Sequence, residues 1–190
     1  MPITWWIVVA AWAVFIIYWV VSSFSTKHTG KRNSALFYIR IIVIIAAVWF
    51  FETFKTFKPA LGELYLPNAA QSSLLGAVGA ALAVIGIGYA VYARYYLGRN
   101  WGMPMTVKDA PELVTTGPYA MVRHPIYSGV MLAVLGSALT GGWWWIAIFV
   151  VSTAYFIYSA IQEEKLMAKT FPDTYPAYKA RPKMLVPFIL

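Results

Sequence analysis

Between residues 3 and 24 the chain carries no charged side chain. A run of that length matches the roughly 20 apolar residues that a helix needs to cross a bilayer. Hydrocarbon offers no partners to backbone N–H and C=O groups, so such a segment must close its own hydrogen bonds as an α-helix. Comparable apolar runs recur at about residues 35–54, 69–96, 126–139 and 143–160. The third holds Gly76, Gly79, Ala80, Ala83 and Gly86, small residues three and four apart that let helices approach closely in lipid. The fourth is short, and Thr140-Gly141-Gly142 follows it as a turn, so the last two runs read as a helical hairpin. With 61% hydrophobic residues and 12% charged, 190 residues predict one domain over 1–190. The expected fold is all-α, a polytopic membrane helix bundle of about five transmembrane helices.

Charge orients that bundle. Lys27, Lys31 and Arg32 follow the first run; Arg99, Lys108 and Arg123 follow the third; Lys165, Lys169, Lys179, Arg181 and Lys183 follow the fifth. An outside amino terminus and five crossings place all three groups in the cytoplasm, as the positive-inside rule prefers. Trp5, Trp6 and Trp143 to Trp145 then fall in an outer aromatic belt. The first residues lack the basic start and small-residue cleavage site of a removable signal, and read as a permanent span. The net charge of +8 is accounted for by anionic lipid, with no nucleic acid needed.

Composition narrows the chemistry. There is no cysteine, which removes disulfides, thiolate metal sites and a cysteine nucleophile. Two histidines, His28 and His124, do not make a multi-histidine metal site, and no metal is expected. Gly86-Ile87-Gly88 lies inside an apolar helix without a preceding strand, so it is no dinucleotide loop. A transporter would hold ionisable groups deep within its spans, whereas Arg40, Glu52 and Arg94 all lie near the ends.

The polar residues gather on one face. Residues 97–125 are irregular, with prolines at 104, 111, 118 and 125, and a bare bundle does not need so long a link. Pro125 suits the first turn of the fourth helix. That puts Arg123 and His124 beside unpaired N–H groups at the positive end of the helix dipole, a place that favours carboxylates and phosphates. An arginine there also serves as a plain headgroup anchor. Glu163 and Glu164 follow the fifth run on the same face, and can accept from an amino group or ribose hydroxyls or simply favour a helix start. Tyr119, Tyr127 and Trp101 are either belt residues or packing for an adenine ring or lipid chain. From Gln162 onward the composition turns polar and predicts a separate, short amphipathic helix ending near Phe171-Pro172.

The segments LGRNW, ELVTTGPYAMVRHPIYSG and EEKL…FPDTYPAY resemble the isoprenylcysteine carboxyl methyltransferase family over residues 97–178. The resemblance implies a membrane enzyme that uses S-adenosyl-L-methionine in a cytoplasmic pocket and releases S-adenosyl-L-homocysteine. It implies cofactor contacts by Thr106, Leu113, Val114, Tyr119, Arg123, His124, Pro125, Tyr127 and Glu163. Arg94, Trp101 and Glu164 are the candidates for the acceptor side, and no catalytic residue is assigned. Where prenylcysteine enzymes have an arginine four residues before the cofactor glutamate, this chain has Ser159. The acceptor is therefore left between a prenylcysteine-like carboxylate or prenylated substrate, a phospholipid amine and a small thiol. All would be met from membrane lipid, at the cytoplasmic side of the cell membrane.

Overall fold

A computed structural model describes residues 2–23, 73–101, 112–141 and 144–189. The expected second span, residues 35–54, lies outside these, as do His28, Arg40, Glu52, Thr106 and Lys108. The described residues form α1 (Ile3–Ser23), α2 (Ser73–Leu97), α3 (Pro125–Gly141), α4 (Trp144–Thr170) and the short α5 (Tyr175–Lys179). Two single turns of 3-10 helix, Gly98–Asn100 and Gly117–Ala120, lead away from α2 and toward α3. Among the described residues there is no strand, only one parallel bridge between Val122 and Lys183. Ile3–Ser23, Leu74–Asn100 and Trp145–Thr170 are long and apolar enough to cross a membrane, and Pro125–Thr140 is a shorter apolar helix. The protein is an all-α membrane helix bundle.

α2 and α3 form the tightest seam. A Cβ built on Gly86 would lie 2.5 Å from Ala133 N and from Gly129 O. One on Gly136 would lie 2.5 Å from Ala83 N and Gly79 O, and one on Gly129 2.7 Å from Ala90 N. These pairs run in opposite order along the two helices, so α2 and α3 are antiparallel. Lipid tails are as apolar as leucine, so helices here associate through close packing rather than by escaping water, and small residues permit it. Gly88, one position off the seam, has open space where its Cβ would be.

α1 joins α2 in parallel. Gly76 meets Thr4, Val8 packs with Ala80 and Ala83, and Arg94 reaches Ser22 at the far end. Trp12 adds a tie to α3, its Nε1–H donating to Ser137 Oγ at 3.0 Å. Most other α1 side chains, Ile16, Ile17 and Val21 among them, are exposed, as a lipid-facing helix requires. α3 and α4 make the antiparallel hairpin expected for the last two runs, with Tyr127 stacked on Phe156 at 4.8 Å.

One expectation is corrected. α4 does not stop near residue 160 to restart as a separate amphipathic helix; it runs unbroken for 27 residues to Thr170. The change from apolar to polar composition at Gln162 marks where the helix leaves hydrocarbon, not where it ends. No glycine or proline interrupts residues 145–170, and the helix stops just before Phe171-Pro172. The consequence is functional: Glu163 and Glu164 are held rigidly on a continuous helix. The start of α3 at Pro125 agrees with the expected first-turn proline.

Candidate active site

The parallel α1 and α2 and the hairpin bring four helix ends to one face. These are the carboxyl ends of α1, α2 and α4 and the amino end of α3. The polar side chains meet there. Arg123 Nε donates to Glu164 Oε1 at 2.6 Å, and Lys179 Nζ lies 2.8 Å from Glu164 Oε2. Glu164 is 6% exposed, so two cations compensate a buried carboxylate from opposite sides.

The carboxyl-terminal tail closes over this pair. Arg123 also donates to the carbonyls of Lys179, at 3.2 Å, and Pro182. The backbone N–H groups of Arg123 and His124 donate to the carbonyls of Lys183 (2.8 Å) and Met184 (3.0 Å). Ser128 donates to Leu185 O. The amides ahead of α3, which the sequence offers to an anion, are thus spent on the chain's own carbonyls. Arg123 thus fastens the tail through Nη1 while its Nε holds Glu164.

His124 sits between the two acids. Its Nδ1 is 3.4 Å from Glu163 Oε2, and its Nε2 is 3.6 Å from Glu164 Oε1. Nε2 is buried without a hydrogen-bond partner. Burial pulls the imidazole pKa down, but the nearby Glu163 and Glu164 carboxylates outweigh it, so His124 is raised above its usual value. The ring stacks on Tyr127, nearly parallel to it at 5° with centroids 5.5 Å apart. Tyr127 in turn donates from its hydroxyl to Glu163 Oε1 at 2.5 Å. His124, Tyr127 and Phe156 form a column of stacked rings, with Glu163 along its edge. Unlike Glu164, Glu163 keeps a quarter of its side chain (24%) open.

The other predicted residues fall into place around this cluster. Pro125 is buried at the head of α3, and Leu113 and Val114 are half-buried in the irregular stretch before the 3-10 turn Gly117–Ala120. Gly117 allows that turn: its φ of +59° suits glycine, and a Cβ would lie 2.5 Å from the Tyr96 ring. Tyr119 is buried, donating to Ala93 O at 3.4 Å while its own carbonyl accepts from the Tyr178 hydroxyl at 2.8 Å. Burial raises its phenol well above the ordinary range, so it stays neutral.

Arg94 and Trp101 form a second grouping. Arg94 is 2% exposed, donates to Ser22 O and Gly98 O at 2.8 Å each, and lies 4.6 Å over the Trp101 ring. A cation beside the carbonyl ends of α1 and α2 complements both helix dipoles. It ties those ends together, and the contacts that join Arg123, His124, Tyr127, Glu163 and Glu164 do not include it.

Sequence reasoning missed Phe156 and Lys179. Phe156 lies two turns before Glu163 on the same helical face, a spacing that was readable. Lys179 and the tail carbonyls have no comparable signal.

This arrangement can be set beside known proteins. A sequence model described as phospholipid methyltransferase matches residues 74–174, more than half of the chain. The chain belongs to the phospholipid methyltransferase family. That match runs from α2 through Thr174, and so contains every member of the cluster except the tail. Methyl transfer at a membrane is the activity this family membership supports. The chain is 32% identical over 99 residues to the nickel-cobalt-cadmium resistance protein NccN of Alcaligenes xylosoxydans xylosoxydans, covering 50% of this chain and 46% of that one. It is 32% identical over 82 residues to a methanethiol S-methyltransferase of Pseudomonas sp. (strain GM41(2012)), covering 43% and 31%. It is 30% identical over 102 residues to the cobalt-zinc-cadmium resistance protein CzcN of Cupriavidus metallidurans, covering 52% and 42%. The chain thus spans less than half the length of the curated relatives it matches.

Proposed function

We propose that this phospholipid methyltransferase family member moves a methyl group from S-adenosylmethionine to a small lipophilic thiol or amine, at the cytoplasmic side of the cell membrane. The residues present suit that donor. Glu163 offers an accessible carboxylate to an amino group or ribose hydroxyls. His124, whose charged form the two acids favour, has a buried nitrogen without a hydrogen-bond partner, which suits the donor's carboxylate. The column of His124, Tyr127 and Phe156 supplies an aromatic wall against which a flat base can pack. Tyr119, Pro125, Leu113, Val114 and Thr106 complete the set implied by the family motif. When bound, the sulfonium supplies an electrophilic methyl carbon with a neutral thioether as its leaving group.

The protein's own contribution is positioning. Holding nucleophile, methyl carbon and sulfur in line is worth roughly 7–11 kcal/mol of the barrier. α3 and α4 are suited to it, because Tyr127, Phe156 and both acids stand on two helices locked by the hairpin and by the tail.

One observation favours a thiol or amine over a carboxylate acceptor. Among the described residues of the cluster, Arg123 and Lys179 are already paired with Glu164, His124 is assigned to the donor, and the position of Ser159 holds a buried hydroxyl in place of a cation. An anionic acceptor would lack a counter-charge there. The methanethiol S-methyltransferase relative points the same way.

Purified protein in lipid nanodiscs, given methyl-labelled S-adenosylmethionine, tests this reading. The label should pass to a short alkanethiol or a lipid amine. Label found on a prenylcysteine carboxylate and on neither of these would overturn the acceptor assignment; no transfer to any of the three would overturn the whole reading.

A further inference from the structure

Methylating a thiol leaves a proton to be removed, and the cluster holds a path for it. The Tyr127 hydroxyl sits 2.5 Å from Glu163 Oε1, and the bond crosses the hairpin from the first turn of α3 to α4. The tyrosine ring is clamped on both faces, by His124 at 5.5 Å and Phe156 at 4.8 Å, so its hydroxyl has one position rather than a swing of rotamers. The other Glu163 oxygen faces His124 Nδ1 at 3.4 Å, and a quarter of the Glu163 side chain is open to solvent. A simple interhelical tie would need none of that openness.

We propose that Tyr127 is the catalytic acid–base residue of this site, taking the acceptor's proton and passing its own to Glu163. The inference rests on the methyl-transfer reading above. In the step, the acceptor's S–H bond breaks and its proton moves to Tyr127 Oη as the phenolic proton moves to Glu163 Oε1. The electron pair freed on the acceptor sulfur forms the bond to the methyl carbon. The bond between that carbon and the donor's sulfonium breaks, and its pair stays on the donor as a neutral thioether. One proton remains on Glu163 and leaves to water through the exposed edge. Charge balances: a neutral thiol and a cationic donor give two neutral thioethers and a proton.

The groups that bear on this pair are His124 before α3, Tyr119 on the 3-10 turn, Tyr155 and Glu164 on α4 and Tyr175 on α5. Glu164 is held by Arg123 and Lys179, which leaves Glu163 as the carboxylate free to accept.

The test is the pH profile of alkanethiol methylation by wild type, Tyr127→Phe and Glu163→Gln at saturating S-adenosylmethionine, with S-adenosylhomocysteine affinity measured alongside. Loss of a positioned proton acceptor costs roughly 100-fold or more. Tyr127→Phe keeps the stacked ring, so its product affinity should stay within about three-fold while kcat falls about 100-fold near neutral pH. The deficit should shrink as pH climbs through the thiol's own pKa, since a thiolate needs no base. An equal kcat in Tyr127→Phe, or a loss that stays constant at every pH, overturns the proposal. Should Tyr127→Phe not fold, Glu163→Gln must show the same pH-dependent deficit or the proposal fails. A wild type that binds no S-adenosylhomocysteine and transfers no label is a different result, and sinks the methyl-transfer reading itself.

Discussion

The seam between α2 and α3 and the polar cap above it are held together by opposite means. In the seam, backbones touch directly: Gly79, Gly86, Gly129 and Gly136 leave no space for even a methyl group. In the cap, the start of α3, the end of α4 and the tail are joined by charge and by side chains reaching to backbone carbonyls, centred on Arg123 and Glu164. Hydrocarbon explains the first, because polar atoms there are costly and close packing is the remaining source of attraction. The membrane boundary allows the second, where charges can be hydrated in part and paired in part. The difference divides the labour: the seam fixes where the helix ends stand, and the cap shapes the groups they present.

The largest effect is expected in the cap. Glu164→Ala leaves Arg123 buried without its carboxylate, and removing one partner of such a pair costs about 3–5 kcal/mol. Thermal unfolding in detergent should show that loss, and hydrogen exchange should show residues 179–185 losing protection. A stable variant with a protected tail would mean that the backbone bonds of Lys183 and Met184 hold the cap without the ion pair.

The seam should respond to smaller provocations. Gly86→Ala forces a methyl group against Ala133 N and Gly129 O, neither of which can swing aside, at about 1–3 kcal/mol. Gly88→Ala, two residues away with open space, should be neutral or gain up to about 1 kcal/mol from helix propensity. The pair is measured by the same unfolding assay. Equal effects would break the claim that contact between backbones, rather than glycine content, holds the bundle.

What the sequence made legible follows the same division. The ends of α1 and the start of α3 were readable, because charge-free runs and a first-turn proline are properties of single residues. So was the meeting of His124, Tyr127 and Glu163, since the motif keeps its members at fixed spacing. The continuity of α4 through Gln162 was not, because helix continuation depends on backbone geometry while the eye follows the composition change. The role of Arg123 was also hidden. Its partners include the carbonyls of Lys179 and Pro182, and a carbonyl carries no trace of its use in the sequence. For the same reason the amides ahead of α3 looked available for an anion, when Lys183 and Met184 already accept from them.

The central claim is that His124 and Glu163 hold a methyl donor, and calorimetric titration of S-adenosylhomocysteine into purified protein tests it most directly. The account predicts measurable binding to wild type, weakened at least tenfold in both His124→Ala and Glu163→Gln. No binding to wild type, or affinity unchanged in both variants, would contradict it.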